Sequence, residues 1–136
     1  MVDVTTQDLA RRAVSCKGWK WLPGMRLRSI RAYLRVVGLN GDGALRLSWD
    51  DPGRPVEGDT YTVEHIGGAL PDLTDPATVG CLLFLVREAW NDHTIAARFS
   101  DEHGLWIVDG NRFSGCAFCY DTEAAALVAA LENGNG

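Results

Sequence analysis

Between positions 17 and 35 the chain gathers the two side-chain types that grip nucleotides: the cations Lys17, Lys20, Arg26, Arg28, Arg31 and Arg35, and the indoles Trp19 and Trp21. Indole faces stack on bases, and guanidinium groups hold phosphate through paired N–H donors. Trp19, Lys20, Trp21, Arg26 and Arg28 are therefore the candidate ligand-binding residues, and the ligand they suit is a phosphate-bearing small molecule. A structural reading competes with this one. Trp19 and Trp21 can equally be core anchors, with lysine and arginine stems covering a sheet edge.

The other reactive residue types form no recognisable constellation. Cys116 and Cys119 make a lone C-x-x-C pair, which strand alternation would put on opposite faces. No second pair completes a zinc site, and Cys16 and Cys81 fall on separate predicted helices, so all four are expected to be reduced and to serve packing. His93 follows Asp92 and His103 follows Asp101-Glu102, but neighbours in sequence seldom face each other. His93 and His103 read as exposed turn residues, and His65 has no partner motif. There is no G-x-S-x-G elbow, no H-E-x-x-H and no phosphate loop, since the glycine-rich turn at 38–43 lacks the Lys-Ser/Thr and the following helix. Asn40 and Asp42 fall short of a calcium loop. The sequence thus assigns no catalytic residue, no metal site and no cofactor.

Charge is distributed unevenly. The net charge is −5, yet residues 1–35 carry eight Lys or Arg against two Asp, or +6, and the remainder carries −11. The chain is electrically two-sided in sequence; whether it is so in space depends on folding, since interleaving the N-terminal elements with acidic ones neutralises the contrast, and the plain alternative is a solvated surface. With 136 residues, 46% of them hydrophobic, the chain is expected to form one globular domain, residues 1–136, able to bury about two thirds of its unfolded surface. No apolar run reaches the roughly 18 residues of a membrane span, and MVDVTTQDLARR lacks a signal-peptide core, so a cytoplasmic location and no membrane partner are expected.

The elements that must position these residues are organised around Leu70 to Asp92. Asp75 is a natural N-cap and Pro76 suits the first helical position. Val79, Leu82, Leu83, Val86, Ala89 and Trp90 recur at three-and-four spacing, and Cys81, Phe84 and Leu85 widen the apolar surface, which predicts a mostly buried helix. Leu70 and Leu73 suit a staple around its cap. A first helix runs from Thr5 to about Cys16 and stops at Gly18. Met25 to Val37 fits helix and strand alike. Asn40-Gly41-Asp42-Gly43 resolves it as a hairpin pairing Arg31–Val37 with Ala44–Trp49. Thr60–Ile66, Thr94–Ser100, Leu105–Val108 and Cys116–Tyr120 read as further strands. A last helix begins at Asp121 or Thr122 and ends near Gly134. The expected fold is α+β: a mainly antiparallel sheet packed against a central buried helix, with N- and C-terminal helices.

The stretches PDLTDPATVGCLLFLVREAW, LARRAVSCKGWKWLPGM and TEAAALVAALE resemble a group of small proteins encoded by bacteriophages and prophages, sharing an LPDLTDPATxGCLLxLVREAW signature. Residues 26–69 have no counterpart in that resemblance. It implies no activity and no site residues, but it implies a setting: an accessory protein in the cytoplasm of a bacterial host, acting by binding. The expected function is counter-defence by sequestering a nucleotide-like small molecule. The alternatives are inhibition of a host defence protein through an acidic or apolar face and, last, a small enzyme. A homo-oligomer is compatible with any of them.

Overall fold

The computed structural model describes residues 4–28, 33–39, 45–49, 59–61, 70–111 and 113–134. The chain is α+β, and the described residues form three helices and two antiparallel sheets. It divides into two compact units, Trp21–Thr78 and Met1–Lys20 with Val79–Gly136. Among the described residues no helix is long and apolar enough to cross a membrane.

The first of these units is a five-stranded sheet built from β1 (Arg26–Arg28), β2 (Tyr33–Leu39), β3 (Leu45–Trp49), β4 (Asp59–Tyr61) and β5 (Leu70–Pro71), in the order β4-β3-β2-β1-β5. The expected pairing of β2 with β3 is present, its last pair being Leu39 with Leu45; the Asn40–Gly43 turn itself lies outside the described residues. Gly24, at φ 100°, makes the turn that leads into β1, a conformation that costs glycine little. Leu27 lies opposite Leu34 and Pro71, and Val36 opposite Leu47. Directly opposed residues share a face, so these side chains form one buried apolar layer. The intervening residues Arg26, Arg28, Tyr33, Arg35, Arg46 and Ser48 necessarily take the other face.

The second unit holds α1 (Val4–Val14), most of α2 (Pro76–Trp90), a sheet of β6 (Ala96–Ser100), β7 (Leu105–Gly110) and β8 (Phe113–Tyr120), and α3 (Glu123–Glu132). The strand order is β6-β7-β8, so the longest strand, β8, lies at an edge. Thr122 caps α3 by accepting a hydrogen bond from Ala125 N at 3.1 Å, as its position before the alanine-rich run predicts. α3 lies against α1 and all three strands. That placement explains why its buried set, Ala124 and Ala126 through Leu131, is far wider than one stripe.

In α2 the expected burial is found at Leu82, Leu85, Val86 and Ala89. It does not extend around the helix. Ala77, Gly80, Phe84 and Glu88 form an exposed line, with Phe84 50% accessible. Leu70, expected in a staple around the cap, is a β5 residue paired with Arg28. The helix ends in a paired-bond cap: Asn91 N donates to Glu88 O at 3.1 Å and Asp92 N to Arg87 O at 3.0 Å, with Asn91 at φ 52°. Asparagine is one of few side chains that tolerate this left-handed position. Asn91→Val is expected to lower unfolding free energy by about 1–2 kcal/mol in urea melts, and Asn91→Gly to leave it level or slightly raised.

Candidate anion-binding face

The functional candidate built by the fold is the arginine face of the five-stranded sheet. Pairing of Arg26 with Arg35 and of Arg28 with Tyr33 across β1 and β2 puts three arginines on one face and brings two guanidinium groups, those of Arg26 and Arg28, to one phenol ring. The Arg26 guanidinium lies 4.0 Å from the Tyr33 ring centroid and that of Arg28 at 5.9 Å, both within cation–π range.

Acidic side chains from the segment before α2 hold two of these arginines. Arg26 pairs with Asp72 at 3.3 Å. Arg35 grips Asp75 with two bonds of 3.0 and 3.1 Å and donates a third, of 2.8 Å, to Gly24 O. Asp75 in turn caps α2, accepting from Thr78 N at 3.0 Å and Thr78 Oγ1 at 2.9 Å. The same hydroxyl, fully buried, accepts from Arg26 N at 2.8 Å. Burial pushes the Asp75 carboxyl up, but the hydrogen bonds from Arg35 and Thr78 outweigh it and hold the group below the usual carboxylate range. Arg26 and Arg35 are thus fixed and largely compensated.

Arg28 and Arg46 differ: both are exposed, and among the described residues no carboxylate pairs with either. They do not converge. Arg28 faces Tyr33 and Arg46 faces Gly38, which at strand spacings separates them by roughly 20 Å. The compact candidate site is therefore Arg28 with Tyr33 and Arg26, and Arg46 lies at the far end of the same face.

The sequence-predicted binding residues are distributed over both units. Arg26 and Arg28 meet at Tyr33, a residue that the basic-aromatic pattern did not single out although it lies two positions beyond Arg31. Trp21 belongs to the same unit and is half-buried. Trp19 and Lys20 belong to the other unit. Trp19 is half-buried there, and Lys20 is exposed and pairs with Glu88 at 3.5 Å. Both indoles thus stand between the buried-anchor and open-platform readings. Arg31 lies outside the described residues.

Lys17 lines an open groove of about 410 Å³ with Arg11, Arg12, Ser15, Cys16 and Glu132. Its charges are mostly spent internally, because Arg12 bonds Glu132 at 2.6 and 2.9 Å and Arg11 bonds Asp8 at 3.1 Å. The Cys16 thiol donates to Arg12 O at 3.3 Å; burial pushes its pKa up, Glu132 adds to that, and Arg12 only partly offsets it. A raised thiol pKa opposes nucleophilic use of Cys16.

Cys81 and Cys119 are half-buried, and the side chain of Cys116 lies outside those described. His93 and His103 are exposed, as expected for turn residues, and His65 lies outside the described residues. Among the described residues no three His, Cys, Asp or Glu side chains group to hold a metal ion. The assignment of Arg26, Arg28 and Tyr33 therefore rests on their geometry alone: no protein-family model, no curated protein and no solved structure matches this chain.

Proposed function

We propose that this protein acts by binding, and that it holds a phosphate-bearing, nucleotide-like small molecule against the arginine face of its five-stranded sheet. The observation that carries this reading is Arg28, an exposed guanidinium without a carboxylate partner among the described residues, stationed beside Tyr33. In the bound state Arg28 donates paired hydrogen bonds to phosphate. Arg26, fixed over Tyr33 by Asp72, adds positive field without having to move. In the phage setting that the sequence resemblance implies, such binding would withdraw a nucleotide immune signal from the host cytoplasm.

The test is isothermal titration of the full chain with cyclic and adenosine-derived nucleotides and with inorganic phosphate. At least one nucleotide is expected to bind saturably. Arg28→Glu is expected to weaken it by about tenfold or more, since a hydrogen bond to a charged group contributes about 1.5–3 kcal/mol. Silence across the panel, or affinity indifferent to Arg28→Glu, would reject the reading.

A further inference from the structure

The three-stranded sheet carries a surface of its own. Phe99, Trp106 and Tyr120 stand directly opposite one another across β6, β7 and β8, so the three rings form one cross-strand row on one face. The Phe99 and Trp106 rings meet edge to face, with centroids 5.7 Å apart. Four large hydrophobic side chains are exposed among the described residues, and two belong to this row: Phe99 at 49% and Tyr120 at 40%. Trp106, between them, is half-buried.

The row also lies at one end of the sheet. The β6–β7 turn, Asp101-Glu102-His103-Gly104, begins two residues beyond Phe99, and Asp121 directly follows Tyr120. Asp101, Glu102 and Asp121 are exposed, and among the described residues none forms an ion pair. Their charge is therefore directed at solvent. The one arginine on β6, Arg98, points to the opposite face, where it pairs with Asp109 at 3.3 Å.

We infer that this row and its acidic end form a docking surface for a basic polypeptide segment, one presenting arginine or lysine side chains from a partner protein. Aromatic faces attract cations through the ring quadrupole, and unpaired carboxylates at the rim steer and retain the same charge. Both features therefore select for one partner chemistry. A nucleic-acid strand would also stack on an aromatic row, but its phosphates would meet Asp101, Glu102 and Asp121. A symmetric second copy would present the same aromatic row and the same acidic end, and the row and its turn hold no cation to complement them.

The inference is tested by titrating the full chain with a decapeptide alternating arginine and alanine, with its glutamate counterpart, and with oligothymidylate. The basic peptide is expected to bind, and to bind more weakly as salt rises. Phe99→Ala should reduce its affinity at least fivefold and Asp101→Lys with Glu102→Lys at least tenfold, while Asp8→Lys on α1 leaves it unchanged. Phe99 is exposed, so its variant should keep the parent circular dichroism spectrum, and the charge variants provide an independent measure if it does not. The proposal fails if the basic peptide does not bind, if Asp8→Lys weakens it as much as the Asp101 and Glu102 pair does, if oligothymidylate binds more tightly, or if the row variants alter only self-association.

Discussion

Leu127→Ala is expected to lower the unfolding free energy by about 2–5 kcal/mol, the usual cost of emptying a fully buried leucine site. Leu127 has no accessible surface and sits in the middle of α3, the helix that meets α1 and all three strands of its unit. Neighbouring positions Ala126, Ala129 and Ala130 are already small, so few side chains are long enough to fill the space left behind. The midpoint of thermal unfolding should fall by roughly 6–20 °C, and Leu127→Met, which keeps the volume, should cost less than about 1.5 kcal/mol. A loss below 1 kcal/mol in urea melts would show that α3 does not anchor the core of that unit.

Removing the Asp75 carboxylate should have the next largest effect. Asp75→Ala eliminates the α2 cap and the two hydrogen bonds by which half-buried Arg35 grips that carboxylate, for an expected loss of about 2–3 kcal/mol. Asp75→Asn retains a capping oxygen and should lose less.

Acid sensitivity follows from the same group. A carboxyl whose folded pKa lies below its unfolded value, near 4, contributes stability that is complete above about pH 5 and is lost as pH falls through the folded value. Glu132, held low chiefly by its hydrogen bonds from Arg12 and despite partial burial, acts in the same direction. Urea midpoints measured from pH 7 to pH 3 should therefore fall on acidification in the parent. They should fall less steeply in Asp75→Asn, and a parallel slope in the two proteins would remove Asp75 from the account.

Local signals were legible where chemistry and structure coincide within a few residues. Asp75-Pro76 marked the start of α2, Asp121-Thr122 marked that of α3 without deciding between the two caps, and alternation at Leu45, Leu47 and Trp49 marked β3. The strands β1 and β5 carried no comparable mark. Both are defined by pairing between distant segments, Arg28 lying opposite Tyr33 on one side and Leu70 on the other. The same non-locality divides the strands between two sheets where the sequence suggested one.

It also governs the site. Arg26, Arg28 and Arg35 were visible as a basic run, but what separates them is the position of Asp72 and Asp75, about 40 residues away in sequence. Those carboxylates compensate Arg26 and Arg35 and leave Arg28 open. The row of Phe99, Trp106 and Tyr120 was equally hidden, since only the register of three strands aligns it.

The lengths of the strands have a consequence for behaviour in concentrated solution. In the five-stranded sheet, among the described residues, the long strands β2 and β3 are interior and β4 and β5 are outermost. In the three-stranded sheet the arrangement is reversed: β8, eight residues reading FSGCAFCY without a single charge, has a strand neighbour on one side only among the described residues. An uncharged, aromatic edge of that length is the kind of segment from which amyloid-like stacking begins. It marks Phe113–Tyr120 as the stretch where a charged gatekeeper would most improve solubility.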